Sequence, residues 1–223
     1  MLENITSFLR NALYVVPAIL ISLTFHEFGH AYAAYKMGDP TARNLGRMTL
    51  NPLAHIDPIG FILLVLFGFG WAKPVPVDMR NFKNPKRGMA LTALAGPVSN
   101  VVLAYVAVVI LNFLFFWLDN FGGGWLLMGL MQFFIYVEII SAGLAVFNVF
   151  PIPPLDGSKV LFALLSDRAY DKLMRYERYG MGLLMLLLIT GLIDTPLGAM
   201  RDGLLQLLNS LGTWGYTLPS MLF

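Results

Sequence analysis

Long apolar runs alternate with short polar stretches along this chain. The first run, Ala12 to Met37, is apolar except for Ser22, Thr24 and the cluster His26-Glu27-Phe28-Gly29-His30. The second covers Met89 to Leu118, and the third Trp125 to Phe150, with Glu138 inside it. A fourth, Tyr179 to Ile193, is shorter and dense in Leu and Met. A helix crossing the hydrocarbon core needs about 20 apolar residues, so the pattern predicts about four spanning helices. Phe61 to Phe69 is apolar over only about half that length, and predicts a re-entrant or short non-crossing helix. After Pro196, Leu197 to Leu211 has helical periodicity with Arg201 and Asp202 on the polar side. That is the pattern of an amphipathic helix lying in the interface.

Three stretches are polar: Gly38 to Pro58, Trp71 to Arg87, and Asp167 to Arg178, whose charges alternate in sign as on a solvated helix. In the second, Pro74 and Pro76 exclude a helix and allow an extended edge strand at most. A small extended or β element is therefore expected in the 44–80 region. The fold class is an all-α polytopic membrane protein, read as one integral-membrane domain over 1–223.

Composition sharpens this picture. Charged residues are 13 % and hydrophobic residues 57 % of the 223, against about 25 % and about 45–50 % in soluble domains. Mean hydropathy is +0.69. A soluble fold is excluded by the low charge, and disorder by the apolar content. A net charge of +2 gives no footprint for nucleic acid. The N-terminus lacks a signal-peptide pattern, so the first run is expected to remain as a span. Of 15 Lys and Arg, 8 lie between Lys36 and Arg87 and 5 between Lys159 and Arg178. If Phe61–Phe69 does not cross, these 13 share one side, which is the cytoplasmic one.

The absence of cysteine removes thiol chemistry and Cys-ligated metals. Any metal must be held by His, Asp or Glu, and there are only three His: His26, His30 and His55. His26-Glu27-Phe28-Gly29-His30 fits H-E-x-x-H. Residues i and i+4 share one helix face, so the two imidazoles can bind one Zn²⁺. Glu27 beside them can act as general base towards the attacking water. Two His and a Glu within five residues are costly in hydrocarbon unless paired or bound to metal; the other reading is a hydrogen-bonded cluster inside a bundle. Catalytic zinc takes three protein ligands. The third is Asp156, in Asn148-Val-Phe-Pro-Ile-Pro-Pro-Leu-Asp156-Gly157, or His55. The prolines at 151, 153 and 154 break the third helix, and broken backbone at membrane depth lines cavities. An Asp at such a place can also be an N-cap. Glu138 is expected to be structural, and Asn100 is not assigned to the site.

These motifs resemble the site-2 protease family of intramembrane zinc metalloproteases. HEFGH at 26–30 and NVFPIPPLDG at 148–157 carry the resemblance, with NPLAHIDPIG at 51–60 and AGPVSN at 95–100 in support. It covers about Val15 to Leu165 and points to the compact prokaryotic branch without PDZ or CBS domains. The resemblance implies that His26, His30 and Asp156 hold one zinc ion, that Glu27 is the base, and that Asn148 stabilises the oxyanion or orients substrate. It implies a single-span membrane protein as substrate, cut in or near its transmembrane helix. Localisation follows as the cytoplasmic membrane, with the active site towards the cytoplasm. For HExxH and Asp156 to meet, both helix ends must face one side, which needs an even number of crossings between them. An extended edge near Pro74–Val77 would hold substrate by strand addition. The rival reading is a non-enzymatic membrane metal-binding or transport protein. Against it stand the position of Glu27 as a base and the lack of an inverted repeat.

Overall fold

The computed structural model describes residues 2–67, 70–166, 168–169 and 177–221. The helix expected over Asp167–Arg178 lies for the most part outside them. Nine α-helices occur among the described residues: α1 (Leu2–Met37), α2 (Thr41–Asn44), α3 (Pro58–Phe67), α4 (Pro85–Phe121), α5 (Trp125–Val149), α6 (Asp156–Ala163), α7 (Gly180–Thr190), α8 (Asp194–Gly212) and α9 (Trp214–Ser220).

Three helices are long and apolar enough to cross a membrane: α1 over Asn11–Met37, α4 and α5. The chain is an integral membrane protein. The fourth expected span has a different form. It is the 11-residue α7, about 16 Å long at 1.5 Å per residue, and Gly191 closes it in the left-handed region at φ 69°. The chain then turns by 86° into the α8–α9 segment, giving a broken span or re-entrant pair. The 10-residue α3 is about 15 Å long, half of a hydrocarbon core of about 30 Å. Among the described residues, only α4 and α5 are therefore long and apolar enough to cross between the HExxH end of α1 and the start of α6. Two crossings bring those ends to the same side, as the ligand argument requires.

The central helix is α4, packed against both α1 and α5. It begins with Asn84 as N-cap, whose side chain accepts from Arg87 N, followed by Pro85 in the first turn; the donor lost to proline has no helical partner there anyway. Small residues meet at the crossings. Ala18, Ala107 and Val137 form one buried cluster; Ala104, Val108, Ala142 and Leu208 form another. Small side chains let helices approach closely where lipid removes the usual hydrophobic drive. Polar pairs add to this: the Ser22 and Ser141 hydroxyls bond at 2.8 Å between α1 and α5. Glu138 on α5 accepts from Asn209 Nδ2 of α8 at 2.7 Å, the partner a buried carboxylate needs. Helix α8 is amphipathic as expected, with Leu208 in the core and Arg201 and Asp202 paired at the surface.

From Gly70 to Asp78 the chain is not helical. The β character among the described residues is one antiparallel bridge, Ile56 to Ala72, where Lys73 N–H donates to His55 O at 2.9 Å. This is the small extended element of the 44–80 region.

Candidate metal centre

Helical spacing places His26 and His30 one turn apart on α1, with ring centroids 4.5 Å apart and planes at 90°. Their Nε2 atoms are 3.0 Å apart. Each lies 3.1 Å from the same atom, Asp156 Oδ2. Asp156 reaches them because α5 ends at Val149 and the proline-rich turn re-aims the chain into α6. Leu155, not Asp156, occupies the N-cap, and no side chain caps this helix. The cap reading of Asp156 is thereby replaced by one in which its carboxylate faces the histidines.

These donors suit a metal ion. Their ligand atoms lie within 4.8 Å of one another. Zinc bonds of about 2.0–2.2 Å in a tetrahedron set ligands about 3.3–3.6 Å apart, a few tenths of an ångström more than the 3.0–3.1 Å seen here. The outer nitrogens also have partners, as ligating histidines do. His30 Nδ1–H donates to the Thr92 carbonyl at 2.8 Å. His26 Nδ1 lies 3.1 Å from the Asn100 amide. Two glycines allow this closeness. A Cβ on Gly29 would stand 2.7 Å from Ala95 O of α4, and one on Gly96 would stand 2.7 Å from His26 Cε1. The α1–α4 contact thus has no room for a Cβ at either glycine.

A cavity of about 470 Å³ opens beside the trio and is lined by Glu27, Trp71, Val75, Asn148 and Lys159 among others. Glu27 Oε2 accepts from Val75 N–H at 2.9 Å, so the extended segment lies across the site. Pro74 and Val77 also line the cavity. Asn148 borders it near the end of α5 and donates to Leu144 O at 3.0 Å. His55 belongs elsewhere: it is buried, and its Nε2–H donates to Thr49 O at 2.9 Å. It organises the loop rather than joining the trio.

Sequence reasoning missed Asn100, Thr92, Lys159 and the Val75 amide. Asn100 had one signal, an amide side chain in an apolar helix one turn beyond Gly96. The Thr92 and Val75 contacts are made by main-chain atoms, which side-chain identity does not disclose.

Comparison with known proteins agrees with this geometry. The sequence profile of peptidase family M50 matches residues 14–126 and 119–190. The chain is 40 % identical over 205 residues to the Bacillus subtilis protein named "Putative zinc metalloprotease YwhC", covering 89 % of this chain and 92 % of that one. It is 29 % identical over 181 residues to "Putative zinc metalloprotease Rip2" of Mycolicibacterium smegmatis, covering 79 % of this chain and 66 % of that one. No solved structure matches. Zinc, the expected cofactor, accords with both the family and the His-His-Asp group.

Proposed function

Because the chain belongs to peptidase family M50, the site-2 protease family of membrane metalloproteases, we propose that it is an endopeptidase that cuts a peptide bond in or near the transmembrane helix of a single-span protein. The observation that carries this reading is the convergence of His26, His30 and Asp156 beside a cavity that holds Glu27 and Asn148.

His26, His30 and Asp156 would hold the zinc ion. When bound, zinc supplies a Lewis acid that polarises a carbonyl and lowers the pKa of water to about 7. Glu27 takes the proton of the attacking water and delivers it to the leaving amine. Asn148 gives its amide hydrogens to the oxygen that gains charge in the tetrahedral intermediate. Its present bond to Leu144 O is one it exchanges for that oxygen. The segment Lys73–Val77 holds substrate extended, because a helical peptide hides its scissile bond within its own hydrogen bonds. Burial between α1, α4 and α6 limits water to the cavity mouth, on the side where the basic residues gather. That side is the cytoplasm by the charge rule. Regulated intramembrane proteolysis is the corresponding role.

The test is purified protein reconstituted with zinc and a model single-span substrate. Glu27→Gln is expected to keep its zinc and lose about 10²–10⁴-fold in cleavage rate. Retained cleavage in that variant overturns the mechanism, and zinc flux without cleavage favours the transport reading. A charge in the extended segment, Val77→Asp, is expected to lower cleavage without lowering zinc content; unchanged cleavage removes the segment's role.

A further inference from the structure

Asn100 is fully buried on α4. Its Nδ2 lies 3.1 Å from His26 Nδ1, and its Oδ1 is buried without a hydrogen-bond partner. An amide side chain can serve a neighbour in either sense, since the NH₂ end donates and the carbonyl end accepts. What His26 needs decides between them. Its Nε2 faces Asp156 Oδ2 and His30 Nε2, so Nε2 is the nitrogen turned to the metal centre. A ligating nitrogen must offer a lone pair, which puts the single ring proton on Nδ1. An Nδ1–H requires an acceptor. The Asn100 NH₂ cannot accept; the Asn100 Oδ1 can, and it is the atom left unpaired. A half-turn of the amide exchanges the two ends within the same volume.

We propose that Asn100 is a positioning residue of the metal centre: Oδ1 accepts the Nδ1–H of His26 and so fixes the imidazole with its Nε2 lone pair towards Asp156 and His30. This rests on the metal-binding reading above. His30 receives the same service from the Thr92 carbonyl, a main-chain atom that substitution leaves in place. Asn100 is the side chain on which the proton position of a ligand depends. The exchange pairs the Asn100 carbonyl with His26 and leaves the NH₂ as the end of the amide without a bond, and it removes the ambiguity of the histidine.

The experiment measures zinc affinity of the full chain in detergent, by competition with a chromophoric chelator. Wild type, Asn100→Leu and Asn100→Asp are compared. Asn100→Leu keeps the bulk and loses the acceptor; it is expected to bind zinc about 10–100-fold more weakly. Asn100→Asp accepts with either oxygen, and is expected to match or exceed wild type. Leu binding as tightly as wild type overturns the proposal, and so does Asp binding as weakly as Leu. If Asn100→Leu does not fold, an Asp variant about 10-fold or more weaker than wild type is itself decisive against it. Wild type that takes up no zinc overturns the metal reading, and the proposal with it. Wild type that binds zinc but is indifferent to residue 100 overturns the proposal alone.

Discussion

The Cβ that Gly96 lacks would stand where two imidazoles meet, against His30 Cε1 and Nε2 and 2.7 Å from His26 Cε1. Neither ring can retreat freely. His30 is bonded to Thr92 O and His26 lies against Asn100. Gly96→Ala is therefore expected to cost about 1–3 kcal/mol through overpacking and to reduce the zinc content of the purified protein. Gly198 on α8 meets nothing within 4 Å; Gly198→Ala is expected to leave zinc unchanged and to stabilise slightly, by up to about 1 kcal/mol. Melting curves and metal analysis of the two variants side by side check this. The histidine face was legible in the sequence because i and i+4 are neighbours in any helix. Gly96 and Asn100 were not legible as site residues. Their meaning comes from a contact more than sixty positions away along the chain; the small residues at 95–97 mark a face for close packing against the HExxH helix, but not a contact with the imidazoles themselves.

At the scale of elements, the strap from Trp71 to Asn81 connects the parts of the site. Arg47 holds its first half by donating to Lys73 O at 2.8 Å. Asp39 holds its second half: its carboxylate accepts from Asp78 N–H and from Asn81 Nδ2, each at 2.7 Å, and from Thr41 N–H at 3.0 Å. Burial alone would push Asp39 up, but the bonds from Thr41, Asn81 and the Asp78 amide outweigh it and hold its pKa below the ordinary 3.8. A carboxylate depressed in the folded state stabilises fully above its unfolded value, and the contribution fades as pH falls through the folded one. Amide exchange over residues 75–82, corrected for the intrinsic rate, is expected to be constant from about pH 6 to 5 and to quicken only below the ordinary carboxylate range. Asp39→Ala, leaving the Asp78 amide without its acceptor, is expected to cost roughly 1–3 kcal/mol and to quicken that exchange already at neutral pH. The prolines at 74 and 76 disclosed the extended form of this segment. The anchors were hidden, because Asp39 and Arg47 read as ordinary loop charges until the chain folds back on them. The last apolar run, Tyr179–Ile193, likewise had the composition of a span; its 11 helical residues and the left-handed Gly191 make it half of one.

Across the whole molecule, the two-crossing arrangement gives a direct test. The chain contains no cysteine, so a single introduced thiol reports one place. Gly123→Cys lies between α4 and α5, and Lys83→Cys just before α4. A membrane-impermeant maleimide applied to intact cells is expected to label the first and to reach the second only after permeabilisation. Labelling of both from one side contradicts the crossing of α4.

The same architecture would make a bound metal a structural partner of distant chain segments. His26 and Asp156 are 130 residues apart, and the helices that bear them, α1 and α6, each reach the other through this group. An ion that binds the folded arrangement and not the unfolded chain adds stability in proportion to the logarithm of its concentration, about 4 kcal/mol at a thousandfold excess over the dissociation constant. Thermal midpoints in detergent are thus expected to rise with added zinc and to fall on chelation, and His30→Ala is expected to abolish the dependence. In a cell, copies made under zinc scarcity would open more often and be cleared faster by quality-control proteases, so that metal supply would set how much of this protein persists as well as whether it acts.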